Sequence, residues 1–284
     1  MRTRYGLLIG INRYSYGRSL SGCVNDVCDM KDFMINNLDF DKNNIKTLIN
    51  LEATKKNIID SIREKVNSLR LGDMFWFHFS GHGARFLNQK SRENVDSICP
   101  QDIPYNFGIN DLITENDLKE FIFSKSLNGV SVVFSMDCCH CGNIRDVYKT
   151  GKPRYVQPVN KDLIVRENSP YYTDHDNVAF RSLQALCDVA DVNMLSACRS
   201  DQSAADDCFN KKPNGAFTYY LLKELNRMKP DSRFSEIVES VENSIKENYN
   251  QNPQYYGNRN ARIGNIVIES DSGLNKKQEE MQYV

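Results

Sequence analysis

Unbroken apolar runs of strand length recur along the chain, each separated from the next by a segment with helical apolar spacing, and this alternation most restricts the fold. YGLLIGI (Tyr5 to Ile11), IKTLIN (Ile45 to Asn50), DMFWFHF (Asp73 to Phe79), VSVVFSM (Val130 to Met136), VNMLSA (Val192 to Ala197) and RIGNIVIE (Arg262 to Glu269) read as strands. Gly22 to Leu38 places Val27, Met30, Phe33 and Met34 on a helical stripe, and Thr54 caps a helix through Leu69 that carries Ile58, Ile59, Ile62 and Val66. Further helices start at Thr114, with Leu118, Phe121 and Ile122, and in GAFTYYLLKEL and FSEIVESVENSIKE. Strand-helix alternation predicts an α/β fold with a mostly parallel central sheet flanked by helices on both faces. Ligands of such sheets bind beyond the carboxyl ends of the strands.

Two polar motifs stand at such ends. SGHG (Ser80 to Gly83) follows the third run, and DCCHCG (Asp137 to Gly142) follows the fourth. Ala84 to Asn94 reads as a polar loop. Val147 to Val178 is rich in Lys, Pro, Asn, Tyr and Asp without periodicity and reads as a long exposed linker or loop. One domain accounts for residues 1–284: a part at 1–146 with the two motifs, a linker at 147–190, a second part at 191–270 and a polar tail at 271–284.

The formal net charge of −1 gives no basic footprint for nucleic acid. No apolar stretch is long enough for a membrane span or a signal peptide core. Nine cysteines, an odd number without regular spacing, fit a reducing cytoplasmic setting better than an oxidised scaffold.

SMDCCHCG crowds three cysteines and a histidine into four positions. Consecutive ligands do not wrap one tetrahedral zinc, and no second ligand cluster exists in the sequence. A redox pair is ordinarily spaced C-x-x-C. Strand alternation points Asp137 and Cys139 to one side and Cys138 and His140 to the other, and likewise puts Ser80 and His82 on a common side. A Cys139–His82 pair can supply a thiolate nucleophile and a general acid/base, with Gly81, Gly83 and Gly142 allowing close backbone approach. A small core cysteine beside a strand-ending histidine is the alternative that spacing leaves open. His78, inside an apolar run, reads as a core histidine.

YGLLIGINRY, LSGCVNDV, HFSGHGARF, VDSICPQD, SMDCCHCG, LSACRSDQSAADD and NGAFTYYLL together resemble the caspase-fold cysteine peptidases, on the type I-like metacaspase and bacterial orthocaspase branch. The resemblance covers most of the chain and implies the caspase-hemoglobinase fold. It implies His82 and Cys139 as the catalytic dyad, the amides of Gly83 and Cys139 as the oxyanion hole, and Asp26 and Asp137, with Cys23 and Ser80, as an acidic pocket. Two carboxylates facing one cavity favour a guanidinium, so the expected cleavage follows arginine, and lysine less well. For Asp26, charge compensation at a helix start is the competing role.

Cys141 stands where the family commonly has serine, and this further thiol near the nucleophile is expected to add sensitivity to oxidation. The resemblance also implies a calcium site at Asp96, Glu115, Asn116 and Asp146, with Ca2+ as an activator rather than a required cofactor, although Glu115 and Asn116 replace aspartates. A solvated polar rim is the other reading. Self-cleavage in the linker could follow Lys149, Lys152, Arg154, Lys161, Arg166 or Arg181, and an uncut loop is the alternative. Asp201, Gln202 and Ser203 are candidates for substrate contact or pocket support, or else form a plain turn. Cys198 parallels a structural thiol.

Expected partners are protein or peptide substrates with Arg or Lys before the scissile bond, with no nucleic acid and no membrane, a monomeric state, and room for an unidentified activating partner. The competing class is a non-catalytic or latent caspase-like interaction module. An acidic-residue-specific peptidase would need Arg13, Arg18 or Arg199 in the pocket, which the aspartate pair disfavours.

Overall fold

The apolar runs become the middle of one sheet in the computed structural model, which describes residues 2–15, 19–87, 94–123, 127, 129–139, 151–156, 191–199, 202–229 and 231–263. The strands β1 (Arg4–Gly10), β2 (Ile45–Ile49), β3 (Met74–Ser80), β7 (Ser131–Asp137) and β9 (Asp191–Ser196) are parallel, in the order β9-β7-β3-β1-β2. An antiparallel edge strand, β12 (Gln254–Tyr256), adds to β9. Every residue of β3 is buried, because helices cover both faces; this is why its sequence does not alternate.

Side-chain parity divides the core. Leu7, Ile9, Phe75, Phe77, Val132 and Phe134 face α2 (Lys55–Ser68) and α3 (Glu115–Phe123), whereas Leu8, Trp76 and Val133 face α1 (Cys23–Asn37), α4 (Ala216–Leu225) and α5 (Phe234–Ile245). The Thr54 hydroxyl caps α2 by accepting the Asn57 N–H at 3.2 Å, as the sequence predicts. Strand order reverses about β1, whose neighbours β2 and β3 lead to opposite edges. The carboxyl ends of β1, β3 and β7 therefore form the crevice where this architecture places ligands. No described helix is long and apolar enough to cross a membrane.

Two expectations are corrected. The ends of the polar stretch from Ala84 to Asn94 are not loop: β4 (Gly83–Leu87) and β5 (Asn94–Ile98) pair antiparallel and are extended by β6 (Ile113–Thr114), with Ala84, Phe86 and Val95 buried, while residues 88–93 lie outside the described residues. Residues 151–156 are not an exposed linker. They form a strap that buries Arg154 and Val156, and its β8 (Lys152–Pro153) pairs antiparallel with β10 (Ala205–Phe209), itself paired with β11 (Lys212–Gly215). The remaining linker residues lie outside the described residues, as does RIGNIVIE beyond Ile263. Among the described residues the strand paired with the outer side of β9 is QYY of β12.

Candidate active site

Asp26 sits in the first turn of α1, Ser80 ends β3 and Asp137 ends β7, with Ser80 and Asp137 in register across the sheet. Sheet parity puts both on the α1 face, where the expected acidic pocket forms. Ser80 Oγ donates to Asp26 Oδ2 at 2.6 Å. Backbone and side-chain donors fix the carboxylates: Gly215 N–H reaches both oxygens of Asp26, Asn214 Nδ2 donates to Asp26 Oδ1, and the N–H and hydroxyl of Thr218 both donate to Asp137 Oδ2. Gly215 is required at the pocket floor, since a Cβ there would collide with Asp137 Oδ2 and with the pocket's occupant.

That occupant is Arg154, fully buried. Its Nη2 donates to Asp26 Oδ2 at 2.8 Å and to Asp206 Oδ1 at 2.9 Å. Its Nη1 donates to Ser80 Oγ at 2.7 Å and lies 3.1 Å from Asp137 Oδ1. Three carboxylates out of water surround one guanidinium, an arrangement that is tolerable only because each also accepts fixed donors. Burial raises the Asp26 pKa to about 6 against the lowering pull of Arg154, with Asp137 raising it further. Cys23 is buried against the pocket, and its thiol is pushed up by burial.

The backbone of Arg154 is held as firmly as its side chain. Its carbonyl accepts Gly83 N–H at 3.0 Å and Cys139 N–H at 3.2 Å, and its N–H donates to the Ala204 carbonyl at 3.0 Å. Beyond Tyr155, Val156 N–H donates to the Gly83 carbonyl at 3.0 Å. Strand pairing before Arg154 and a bridge at Tyr155 after it hold the Arg154–Tyr155 peptide extended across the crevice. Two amides thus converge on one carbonyl oxygen, and they are the two amides that the resemblance implied for an oxyanion hole.

The two motifs that carry Cys139 and His82 meet at Gly83, where a Cβ would strike the Cys139 carbonyl oxygen. Cys139 keeps the face that parity assigned, its sulfur bonded to the backbone of Ala204. Cys198 touches Cys139, and this contact, followed by burial, raises the Cys198 thiol well above its ordinary value. Parity does not carry to His82. It lies past the last paired residue of β3, and its ring packs against Tyr14, 4.8 Å between centroids, on the α2 side of the sheet. Tyr14 Oη also accepts His82 N–H at 2.8 Å. His78 is a core histidine, its Nδ1 2.9 Å from Ser135 Oγ and its pKa lowered to about 3 by burial.

The residues implied for calcium are otherwise engaged. Arg85 forks onto both oxygens of Asp96 at 2.6 and 2.9 Å, and Lys119 lies between Glu115 Oε2 at 3.9 Å and Asn116 Oδ1 at 3.2 Å. Burial raises the Glu115 pKa to about 7. Among the described residues no group of three or more His, Cys, Asp or Glu is placed to hold a metal. Asp146 lies outside the described residues, as do Asp201 and Arg18. Gln202 supports a turn, accepting Arg199 N–H and Asn252 N–H. Ser203 is buried, and Arg13 and Arg199 are exposed, outside the pocket.

Sequence reasoning missed Asp206, the third carboxylate, and Ala204, which binds the Arg154 backbone and the Cys139 sulfur. Asp206 also accepts Ser21 N–H at 2.7 Å and Gly22 N–H at 2.9 Å, which ties the β10 strand to the start of α1. The available signal was an aspartate pair in SAADD directly after a polar turn, with alternation directing one member inward.

Known proteins are similar to this chain in sequence and in fold. Residues 4–148 match the family model described as metacaspase, peptidase C14 domain. Metacaspase-1 of Eremothecium gossypii is 25% identical over 88% of this chain and 63% of its own length. Metacaspase-1 of Scheffersomyces stipitis is 26% identical over 87% of this chain and 69% of its own. The chain thus spans about two thirds of the length of these relatives. The crystal structure of protein GSU0716 from Geobacter sulfurreducens superposes with a TM-score of 0.65 at 20% identity, covering 92% of this chain and 98% of that one, which supports the caspase-like fold alone. With the family model spanning half of the chain, over the strands and motifs that build the crevice, the chain belongs to the metacaspase family.

Proposed function

We propose that this chain is a cysteine endopeptidase that cleaves after arginine, and after lysine less well, by attack of Cys139 sulfur on the peptide carbonyl with His82 as general acid/base. One observation carries the proposal: Arg154 occupies the carboxylate pocket while its own carbonyl rests on the Gly83 and Cys139 amides. A guanidinium spanning Asp26, Asp137 and Asp206 uses two nitrogens at once, whereas an ammonium presents one point charge, so arginine is preferred. The amides of Gly83 and Cys139 stabilise charge as it develops on the carbonyl oxygen. His82 accepts the thiol proton and returns it to the leaving amine.

Self-processing belongs to this reading, because a basic linker residue already lies across the site. Calcium stimulation is supported only by the nearness of Asp96 and Glu115, since their charge is met by Arg85 and Lys119; activity before and after chelation and readdition tests it. Free cysteines at Cys23, Cys28, Cys99, Cys138, Cys139, Cys198 and Cys208 are the basis for placing the enzyme in a reducing, cytoplasmic setting. Monomeric action and an activating partner are further parts of the proposal, tested by mass-resolved sizing with activity across the eluate.

The non-catalytic or latent module is the second reading, and the burial of Cys139 and His82 beneath the strap favours it. Release of fluorophore from paired peptides ending in Arg, Lys or Asp, with the native chain, Arg154→Gln and Cys139→Ala compared, separates the two. Arginyl hydrolysis lost in Cys139→Ala supports the peptidase. Silence from folded Arg154→Gln on every peptide supports the module.

A further inference from the structure

We propose that the chain cuts its own Arg154–Tyr155 bond, and that this cut does not open the site, because Arg154 stays behind as a tethered product. The inference rests on the peptidase reading above. The strap has substrate-like contacts on both sides of one bond. Lys152 and Pro153 pair with Asp206 and Ala205, Arg154 fills the pocket, and Val156 is buried beyond the bond with its N–H on Gly83. The Cys139 sulfur is bonded to Ala204, whose carbonyl also holds the Arg154 N–H, so the nucleophile lies beside the residue it would attack.

In the first step the Cys139 sulfur bonds to the Arg154 carbonyl carbon and the C–N bond to Tyr155 breaks, its amine leaving with a proton supplied by His82. Water then cleaves the thioester, giving an Arg154 carboxylate and restoring the thiol. No other reactant is needed.

Both chain ends created by this cut keep contacts of their own. The Tyr155 side keeps the Val156 to Gly83 backbone bond and the packing of Val156 and Tyr155 against the core. The Arg154 side retains the guanidinium contacts, the pairing with β10 and the Ala204 bond, and it stays joined to Cys139 through residues 140–153 of the same chain. A short tether of this kind holds its end at an effective concentration of about 1–10 mM. Against an arginine product binding at roughly 0.1 mM, within the ordinary range for enzyme ligands, the site stays mostly filled and the apparent KM for an external substrate rises about 10- to 100-fold. Because a tethered competitor is displaced by saturating substrate, kcat does not fall. Activation then requires a second event that removes Arg154 from the pocket.

The test starts from the purified native chain. Intact mass and amino-terminal sequencing should show fragments 1–154 and 155–284, produced at a rate independent of protein concentration and absent in Cys139→Ala. A cut only at another bond, or a rate that scales with concentration, overturns the assignment to this bond in cis. The nicked chain is then assayed on an arginyl peptide before and after treatment with a carboxypeptidase that removes carboxy-terminal arginine. Arg154→Gln serves as a second route to an open pocket. Both should lower KM at least 10-fold with kcat little changed. If the arginine is removed, as read by mass, and KM does not move, the tethered-product idea fails while the peptidase reading stands. If neither form hydrolyses arginyl peptides at saturating concentration, the peptidase reading itself fails.

Discussion

Asp206→Asn, made in the Arg154→Gln background so that the strap does not compete, gives a prediction in which activity falls while stability changes little. In the native chain Nη2 of the bound arginine is shared between Asp26 at 2.8 Å and Asp206 at 2.9 Å. Replacing one carboxylate by an amide keeps an oxygen acceptor but removes its charge, a loss of about 1–2 kcal/mol for a charge-assisted bond. At 1.36 kcal/mol per factor of ten, kcat/KM on an arginyl peptide should fall about 5- to 30-fold. A lysyl peptide, with a shorter reach and one charged nitrogen, should lose less, so the arginine-to-lysine ratio narrows. With no guanidinium in place, Asp26, Asp137 and Asp206 repel one another, and neutralising one relieves that repulsion. That relief offsets the Ser21 or Gly22 N–H bond that the amide nitrogen gives up, so the melting temperature should change little. Steady-state kinetics on the two peptides and a thermal melt of the same preparations read both effects. An unchanged kcat/KM for arginine would show that Asp206 does not contribute to recognition, and a fall accompanied by a lower melting temperature would mean general damage to the fold instead of a specific loss of recognition.

Other outcomes follow from the same geometry. Gly215→Ala puts a methyl where Asp137 Oδ2 and the guanidinium lie, and arginyl hydrolysis should drop more than about 100-fold, in line with a misplaced reacting bond. With arginine bound, Asp26 has a pKa of about 6, raised first by burial; an empty pocket lacks the lowering pull of the guanidinium, so its value there is higher. Binding therefore favours the ionised carboxylate, and KM for an arginyl peptide in the Arg154→Gln chain should rise as pH falls toward about 6 and level off below it. A KM independent of pH above about 6 would count against Asp26 as the arginine partner. Thr54→Ala removes the cap of α2 and should cost about 1 kcal/mol of stability without changing kcat/KM, as measured by denaturant unfolding beside the peptide assay.

Several features could be read from the residues because they depend on local spacing. Unbroken runs such as MFWFHFS pointed to a doubly covered strand, helical stripes to α1 and α2, and alternation placed Asp137, Ser80 and Cys139 on one face. Polarity misled at Ala84 to Leu87, a strand defined by pairing such as Arg85 with Asp96, two residues that each look like loop residues in isolation. Parity misled at His82, because alternation holds only while a strand remains paired, and β3 ends at Ser80.

The sequence by itself determined that strands and helices alternate, that two glycine-flanked motifs end neighbouring strands, and that acidic residues accompany them. Those facts follow from periodicity and short-range chemistry. Only the tertiary structure decided which of six basic linker residues lies in the pocket, and that Asp206, 180 positions beyond Asp26, completes it. The charge of Arg154 is the same as that of its linker neighbours. What distinguishes it is the β10 pairing that seats its backbone between Ala204 and the Gly83 and Cys139 amides, a long-range constraint that no local pattern encodes.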